Sequence, residues 1–179
     1  MEKITLRGKS IEVTGNASVQ VEDRAEAAVV IRPKGDCRVE LSVGSGCRVD
    51  TFIIHEKDCK VEQINHVGPG SVVNTSCVWL ASGSGRVQNS LEGANSEAYD
   101  LHVFVEGGES KLHLDSVLRH GGRDTKGNIL VKGIVKDKGA ATLDGMIKIE
   151  KGGGGAESFL SEHVMLLNPG AHASANPEL

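Results

Sequence analysis

A chain of 179 residues with 20 Lys+Arg against 24 Asp+Glu carries a formal charge of −4, and its basic residues are scattered, so it lacks the clustered positive face that nucleic-acid binding needs. Five residues are aromatic (Phe52, Trp79, Tyr99, Phe104, Phe159), too few for base-stacking platforms or sugar-stacking clefts, and no stretch approaches the roughly 20 apolar residues of a membrane span. What remains, rich in Val, Ile, Leu and Ala with 23 glycines, suits short strands joined by tight turns.

The first 33 residues offer three short strands, Lys3–Leu6, Ser10–Val13 and Ala27–Ile31, the last closed by Arg32-Pro33-Lys34-Gly35. A ladder of alternating segments follows: Cys37–Val43, Cys47–Ile54, Cys59–Val67, Ser71–Leu80, Arg86–Glu92, Ser96–Val105, Lys111–Arg119, Gly127–Val135, Ala140–Ile149 and Glu157–Leu167. Breakers such as Gly44-Ser45-Gly46, Gly68-Pro69-Gly70 and Ser82-Gly83-Ser84-Gly85 separate nearly all of them. Residues 168–179 read as a tail too short and polar to cap the last segment.

Three segments open alike, with Cys37-Arg38-Val39, Cys47-Arg48-Val49 and Cys59-Lys60-Val61. Val39 to Val61 is 22 residues and Val49 to Val72 is 23, so like positions recur every second segment. That spacing predicts an all-β parallel β-helix, a solenoid with two or more strands per coil, over residues 1–179 as one domain. A β-sandwich also tolerates strands at this spacing. The near-constant interval and the absence of long connections favour the solenoid. The N-terminus has no apolar signal region, so a cytoplasmic location and four reduced thiols are expected.

A 22-residue coil would stack Cys37 on Cys59 about 4.8 Å apart, making them the candidate thiols for a shared metal ion or cluster. Metal sites want three or four such ligands and no C-x-x-C spacing occurs, so no metal site is assigned, and buried small residues at a corner explain the cysteines equally well. Of the seven histidines, His102 and His113 lie beside Asp100 and Asp115 in alternating strands, which suggests either a stacked imidazole pair or exposed strand-face residues. His55-Glu56 lacks the second helical histidine of a metalloprotease. No nucleophile elbow and no phosphate-binding loop is present, so no catalytic residue is assigned and ATP hydrolysis is not expected of this chain.

The second half carries a series of blocks: Lys111-Leu112-His113-Leu114-Asp115-Ser116; Arg119-His120-Gly121-Gly122 with Thr125; and Gly127-Asn128-Ile129-Leu130-Val131-Lys132-Gly133. Asp144-Gly145-Met146-Ile147-Lys148-Ile149, His163-Val164-Met165-Leu166-Leu167, Pro169-Gly170-Ala171 and Asn176-Pro177-Glu178-Leu179 continue it. In content, order and spacing these blocks resemble the core of the SufB/SufD family of iron–sulfur cluster assembly scaffolds. The resemblance implies a right-handed parallel β-helix and a non-catalytic scaffold of SUF-type biogenesis. It implies a partner of the SufB/SufD type and a separate SufC-like ABC-type ATPase that hydrolyses the nucleotide; the uncapped end of the solenoid in turn predicts self-association, as a homodimer, or pairing with such a partner through the C-terminal coil. A transient iron–sulfur cluster is the cofactor it allows. His120, Thr125, Lys132, Gly133, Pro177 and Glu178 match family-pattern positions and are expected to be structural. Two departures stand out. The helical regions that flank the family core, one of which docks the ATPase, are not in this sequence, and the position matching the family's sulfur-accepting cysteine is Asn89. A homo-oligomeric structural module without cluster chemistry is therefore the alternative.

Overall fold

The computed structural model describes residues 1–179 and consists of strands and turns. The fifteen strands are β1 (Glu2–Leu6), β2 (Ser10–Val13), β3 (Ala17–Val21), β4 (Glu26–Ile31), β5 (Cys37–Val43), β6 (Arg48–His55), β7 (Cys59–Val67) and β8 (Val72–Trp79), followed by β9 (Gly83–Leu91), β10 (Glu97–Glu106), β11 (Lys111–His120), β12 (Lys126–Val135), β13 (Ala140–Ile149), β14 (Glu157–Leu166) and β15 (His172–Glu178). Odd-numbered strands make one eight-stranded sheet and even-numbered strands a seven-stranded one, each pairing parallel to the strand two before it. Each coil thus contributes one strand to each sheet, and the fold is the β-helix that the segment spacing predicted.

Side-chain alternation explains why these residues choose strands. In β5, Cys37, Val39, Leu41 and Val43 are buried while the residues between them face outward. Each inward row lands on the same row of the next coil: Val19 pairs Leu41 in the odd sheet and Val29 pairs Thr51 in the even sheet. The two inner faces close on one continuous core.

Coil length is not constant. Paired residues are Ala17 and Val39, then Cys37 and Val61, then Leu112 and Ala141, then Ala140 and His172, so a turn grows from 22 to 24, 29 and 32 residues. The repeat read from the cysteine-led segments holds only near the start. This growth overturns the predicted stack of Cys37 on Cys59: Cys37 pairs Val61, and Cys59, two residues earlier, pairs Gly83.

Three further expectations are corrected. Residues 17–21 form β3, which the sequence reading passed over; its inward row is Ala17, Val19 and Val21, and both neighbouring strands of its sheet pair with it. The Ser82–Gly85 stretch, read as a breaker, ends in the first three residues of β9, where a Cβ at Gly85 would fall inside the Trp79 ring. The C-terminal residues form β15, held by parallel pairing to β13 although every one of its side chains is exposed.

The corners leading from odd to even strands repeat one conformation. Arg24, Gly46, Gly70, Asn95, Asp124 and Gly155 all have positive φ, between 52° and 77°. Asn and Asp tolerate this region, and Gly adopts it freely. Each successive N–H reaches the next coil, as in Gly46 to the Pro69 carbonyl (2.8 Å) and Asn95 to the Arg123 carbonyl (2.9 Å). The residue after each is small: Ala25, Cys47, Ser71, Ser96, Thr125 and Ala156. Cys47 and Thr125 thus hold the same structural place in one corner column, three coils apart.

Candidate functional site

The inward rows of the middle coils change from hydrocarbon to hydrogen-bonding groups. In β6, β8 and β10 one row runs Thr51, Thr75, Asp100; in β7 and β9 the facing rows supply Gln63, Asn65 and Asn89. All six are buried. Gln63 Nε2 donates to Thr51 Oγ1 and to Asn65 Oδ1, both at 3.0 Å, and Thr51 donates to Thr75 at 3.0 Å. Asn65 Nδ2 donates to Asn89 Oδ1 at 2.8 Å, and Asn89 Nδ2 donates to both oxygens of Asp100 at 2.8 Å. The seam therefore ties the two sheets together across the core. Gln63 Oε1 is left without a partner in it, and the bonds that are made matter because each buried unpaired group costs about 1–3 kcal/mol.

A second cluster sits beside it. Trp79 Nε1 donates to His102 Nδ1 (3.3 Å), and His102 Nε2 lies 3.3 Å from Ser116 Oγ. With Nδ1 accepting, the imidazole is neutral and carries its proton on Nε2. Burial lowers its pKa to about 4 and raises that of Asp100 to about 7 against the bonds from Asn89 and Thr75. At the corner, His55 Nε2 sits 3.0 Å from the Cys59 carbonyl, while His55 Nδ1 and both oxygens of the buried Glu106 have no protein partner. The seam can hold or release a proton near neutrality, but it contains no activated nucleophile. Cys77, the thiol in it, is pushed well above the usual range by burial and then by Asp100.

Residues 5–179 match the family described as SUF system FeS cluster assembly, SufBD core domain. The chain belongs to that family. It is also 32% identical over 77 residues to "Iron-sulfur cluster assembly protein SufD" of Bacillus subtilis (strain 168), an alignment covering 43% of this chain and 18% of that protein. The chain thus spans under a fifth of the curated relative it matches. No solved structure matches.

Within the SufBD core the six residues matching the family pattern sit in different surroundings. His120 Nδ1 lies 2.8 Å from Thr125 Oγ1, and Thr125 also reaches the Gly122 carbonyl, so the pair bolts the end of β11 to the following corner. A Cβ on Gly133 would intrude on the Phe104 ring. Lys132 is exposed on β12, and Pro177 and Glu178 are exposed on β15. Pro177 is two residues past Ala175 on the strand edge that faces away from β13, where a missing N–H costs no ladder bond.

The cysteine and histidine candidates separate. All four thiols are free and buried. Burial, then the charges of Cys59 and Asp36, pushes Cys37 up to about 11; Cys59 is raised by burial and by Asp36 and Asp58. No group of three or more His, Cys, Asp or Glu side chains is placed to hold a metal ion. His102 and His113 are no stacked pair: His102 points into the core from β10, whereas His113 faces solvent on β11 and meets Asp144 at 2.7 Å. Asn89 is the central joint of the seam. Motif reading missed the seam itself. Its signal was present as polar residues in the inward phase of strong strands, as in Val61, Gln63, Asn65, Val67.

Proposed function

We propose that this chain is a non-catalytic scaffold in SUF-type iron–sulfur cluster biogenesis and that it works through protein contacts at its C-terminal coil. The observation that supports this most directly is the loss of burial at that end. Strands β5 to β13 are paired on both edges and bury alternate residues, but β14 and β15 are the last strands of their sheets, with hardly a buried side chain between them. An edge of this kind leaves backbone groups unpaired and templates another strand. A second SufB/SufD-type chain, or a second copy of this one, is the occupant proposed. ATP hydrolysis is assigned to a separate ABC-type partner, and the setting is cytoplasmic; no helix is long and apolar enough to cross a membrane.

The edge can be tested by backbone chemistry. His172 donates its N–H to the Gly139 carbonyl on the β13 side, so by alternation the Ala175 N–H faces the open edge. Ala175→Pro removes that donor while sparing the β13 ladder. It should lower the assembly mass in light scattering; an unchanged mass sinks the edge reading.

One observation favours the second reading, a structural module without cluster chemistry of its own. The thiols that the sequence offers, Cys37 and Cys59, are held protonated by burial and are two register positions out of stack. Anaerobic reconstitution with iron and sulfide separates the readings. Visible sulfur-to-iron absorbance that disappears in Cys37→Ser or Cys59→Ser supports cluster binding on this chain, and no absorbance supports the module.

A further inference from the structure

At the corner where even strands lead into odd ones, three buried polar atoms have no protein partner. His55, the last residue of β6, is 0% exposed, and Glu106, the last of β10, is 1% exposed. The unanswered atoms are His55 Nδ1 and both carboxylate oxygens of Glu106. His55 pairs Trp79 and Trp79 pairs Phe104, so His55 lies two coils from Phe104, and Glu106 is the next inward position beyond it. Two coils separate the β6 and β10 backbones by about 10 Å. The large rings of that row lean out of the gap. Trp79 reaches back to His102 and lies over Gly85, and the Phe104 ring takes the space that a Cβ on Gly133 would fill. The turn of the intervening coil offers only the exposed Leu80, then Ala81 and Ser82. Across its own turn from Glu106, Ser110 gives its one proton to the Gly107 carbonyl (2.7 Å), so it cannot also donate to the carboxylate.

We propose that His55 and Glu106 are a buried pair that holds a single proton through one internal water, clamping the coil of β6 to the coil of β10. His55 Nε2 sits 3.0 Å from the Cys59 carbonyl, which only accepts, so Nε2 carries hydrogen and Nδ1 of the neutral ring needs a donor. An ionised Glu106 only accepts, whereas a protonated one donates. One proton between the two therefore completes both, the carboxyl donating to the water and the water to Nδ1. With no proton a bare carboxylate is buried, and with two a bare imidazolium is; an uncompensated buried charge is strongly disfavoured. Neither group bonds the other directly, so the link needs a molecule that both accepts and donates, and three orphan polar atoms are what a buried water commonly bridges. Burial is the largest influence on Glu106 and raises its pKa, with a charge on His55 pulling the other way. No further charge intrudes. Arg32, Lys34 and Asp36 on the turn before His55, and Glu56, Lys57 and Asp58 on its own turn, are exposed, as are Glu109, Lys136, Asp137 and Lys138 on the turns at and after Glu106. Lys60 and Lys111, beside the corner on β7 and β11, are exposed too. Inside, burial holds the thiols of Cys37 and Cys59 protonated, and His102 has both nitrogens engaged.

The clamp is independent of the C-terminal edge and is read on the intact chain. Above about pH 5 the unfolded parent and the unfolded Glu106→Gln variant bind the same number of protons, while the folded parent holds one more. A proton retained on folding makes stability fall as pH rises. The parent's folded-to-unfolded ratio, divided by that of Glu106→Gln, should therefore drop about tenfold per pH unit from about pH 5 to about pH 8 in chemical denaturation. Glu109→Gln, at an exposed carboxylate of the same turn paired with Lys138 (3.2 Å), should track the parent instead. In the 15N-labelled parent, nuclear magnetic resonance should find the His55 ring in one protonation state over that range, with cross-relaxation from water to the ring. Parallel pH profiles for the parent and Glu106→Gln overturn the inference, and so does an equal departure in Glu109→Gln. A His55 ring that titrates near the ordinary value of about 6.5, or that shows no water contact, also overturns it. Where Glu106→Gln does not fold, the ring signals of the parent decide alone.

Discussion

The interior of the first coils and that of the middle coils are built on the same ladder but filled oppositely. In β3 to β5 every inward residue is Ala, Val, Ile, Leu or Cys, and nearly all are fully buried. In β6 to β11 the same rows pass through Thr51, Gln63, Asn65, Thr75, Asn89, Asp100, His102 and Ser116 before β12 and β13 return to Ile129, Val131 and Leu143. Single rows show the change: Val29, Thr51, Thr75, Asp100, Ile129 along one, and Val19, Leu41, Asn65, Asn89, Leu118 along another. Stacked coils therefore specify that an inward residue be buried, without requiring that it be apolar. Where it is polar, a neighbour one coil away, across the core or on its own strand must answer it. The middle coils gain specificity of register from this, because a one-coil mismatch leaves a donor without an acceptor, whereas hydrocarbon rows are indifferent to it.

The sharpest test of the contrast removes volume from the apolar end. Leu41→Ala should lower unfolding free energy by about 3 kcal/mol, through lost transfer energy plus the cavity left behind. Chemical denaturation measures it, and a cost under about 1 kcal/mol would mean that the first coils collapse readily and the contrast is overdrawn.

Asn89→Ala attacks the polar end. It strips Asp100 of its Asn89 donor and Asn65 of its acceptor, so about 2 kcal/mol should be lost with little change in volume. Asn89→Leu should not recover it, since the unanswered partners remain; full recovery would show that the seam behaves as ordinary hydrocarbon core.

Titration sharpens the comparison further. Asp100 has a folded pKa near 7, above its unfolded value, so folding retains its proton and its contribution to stability falls as pH rises from about 4 to about 7. His102, lowered to about 4, does the reverse: the unfolded chain binds more protons between about 4 and 6.5, and stability rises with pH there. The two slopes oppose each other. Asp100→Asn should make stability climb more steeply with pH than in the parent, and His102→Gln should make it fall across the window. Parallel pH profiles for parent and both variants would contradict the assignment. The smallest effect is expected from Thr51→Val, about 1 kcal/mol, because the change deletes the bonds to Thr75 and from Gln63 but leaves shape intact and Gln63 Nε2 still bonded to Asn65.

The sequence by itself determined the architecture. Alternation with period two, turn residues at regular intervals and like positions recurring every second segment suffice to call for coils of two strands, since a strand with one apolar face must bury it on its neighbours. The family resemblance, not the alternation, singled out His120, Thr125 and Gly133; the structure bonds the first two across a corner and sets the third against the Phe104 ring. Register was decided by the tertiary structure alone. A coil that lengthens from 22 to 32 residues shifts each pairing by amounts no local pattern encodes, and those shifts separated Cys37 from Cys59, turned His102 inward and His113 outward, and set Asn65, Asn89 and Asp100 within bonding reach. Which polar side chain answers which depends on distances between residues one coil apart or facing each other across the core, and only the wound chain fixes them.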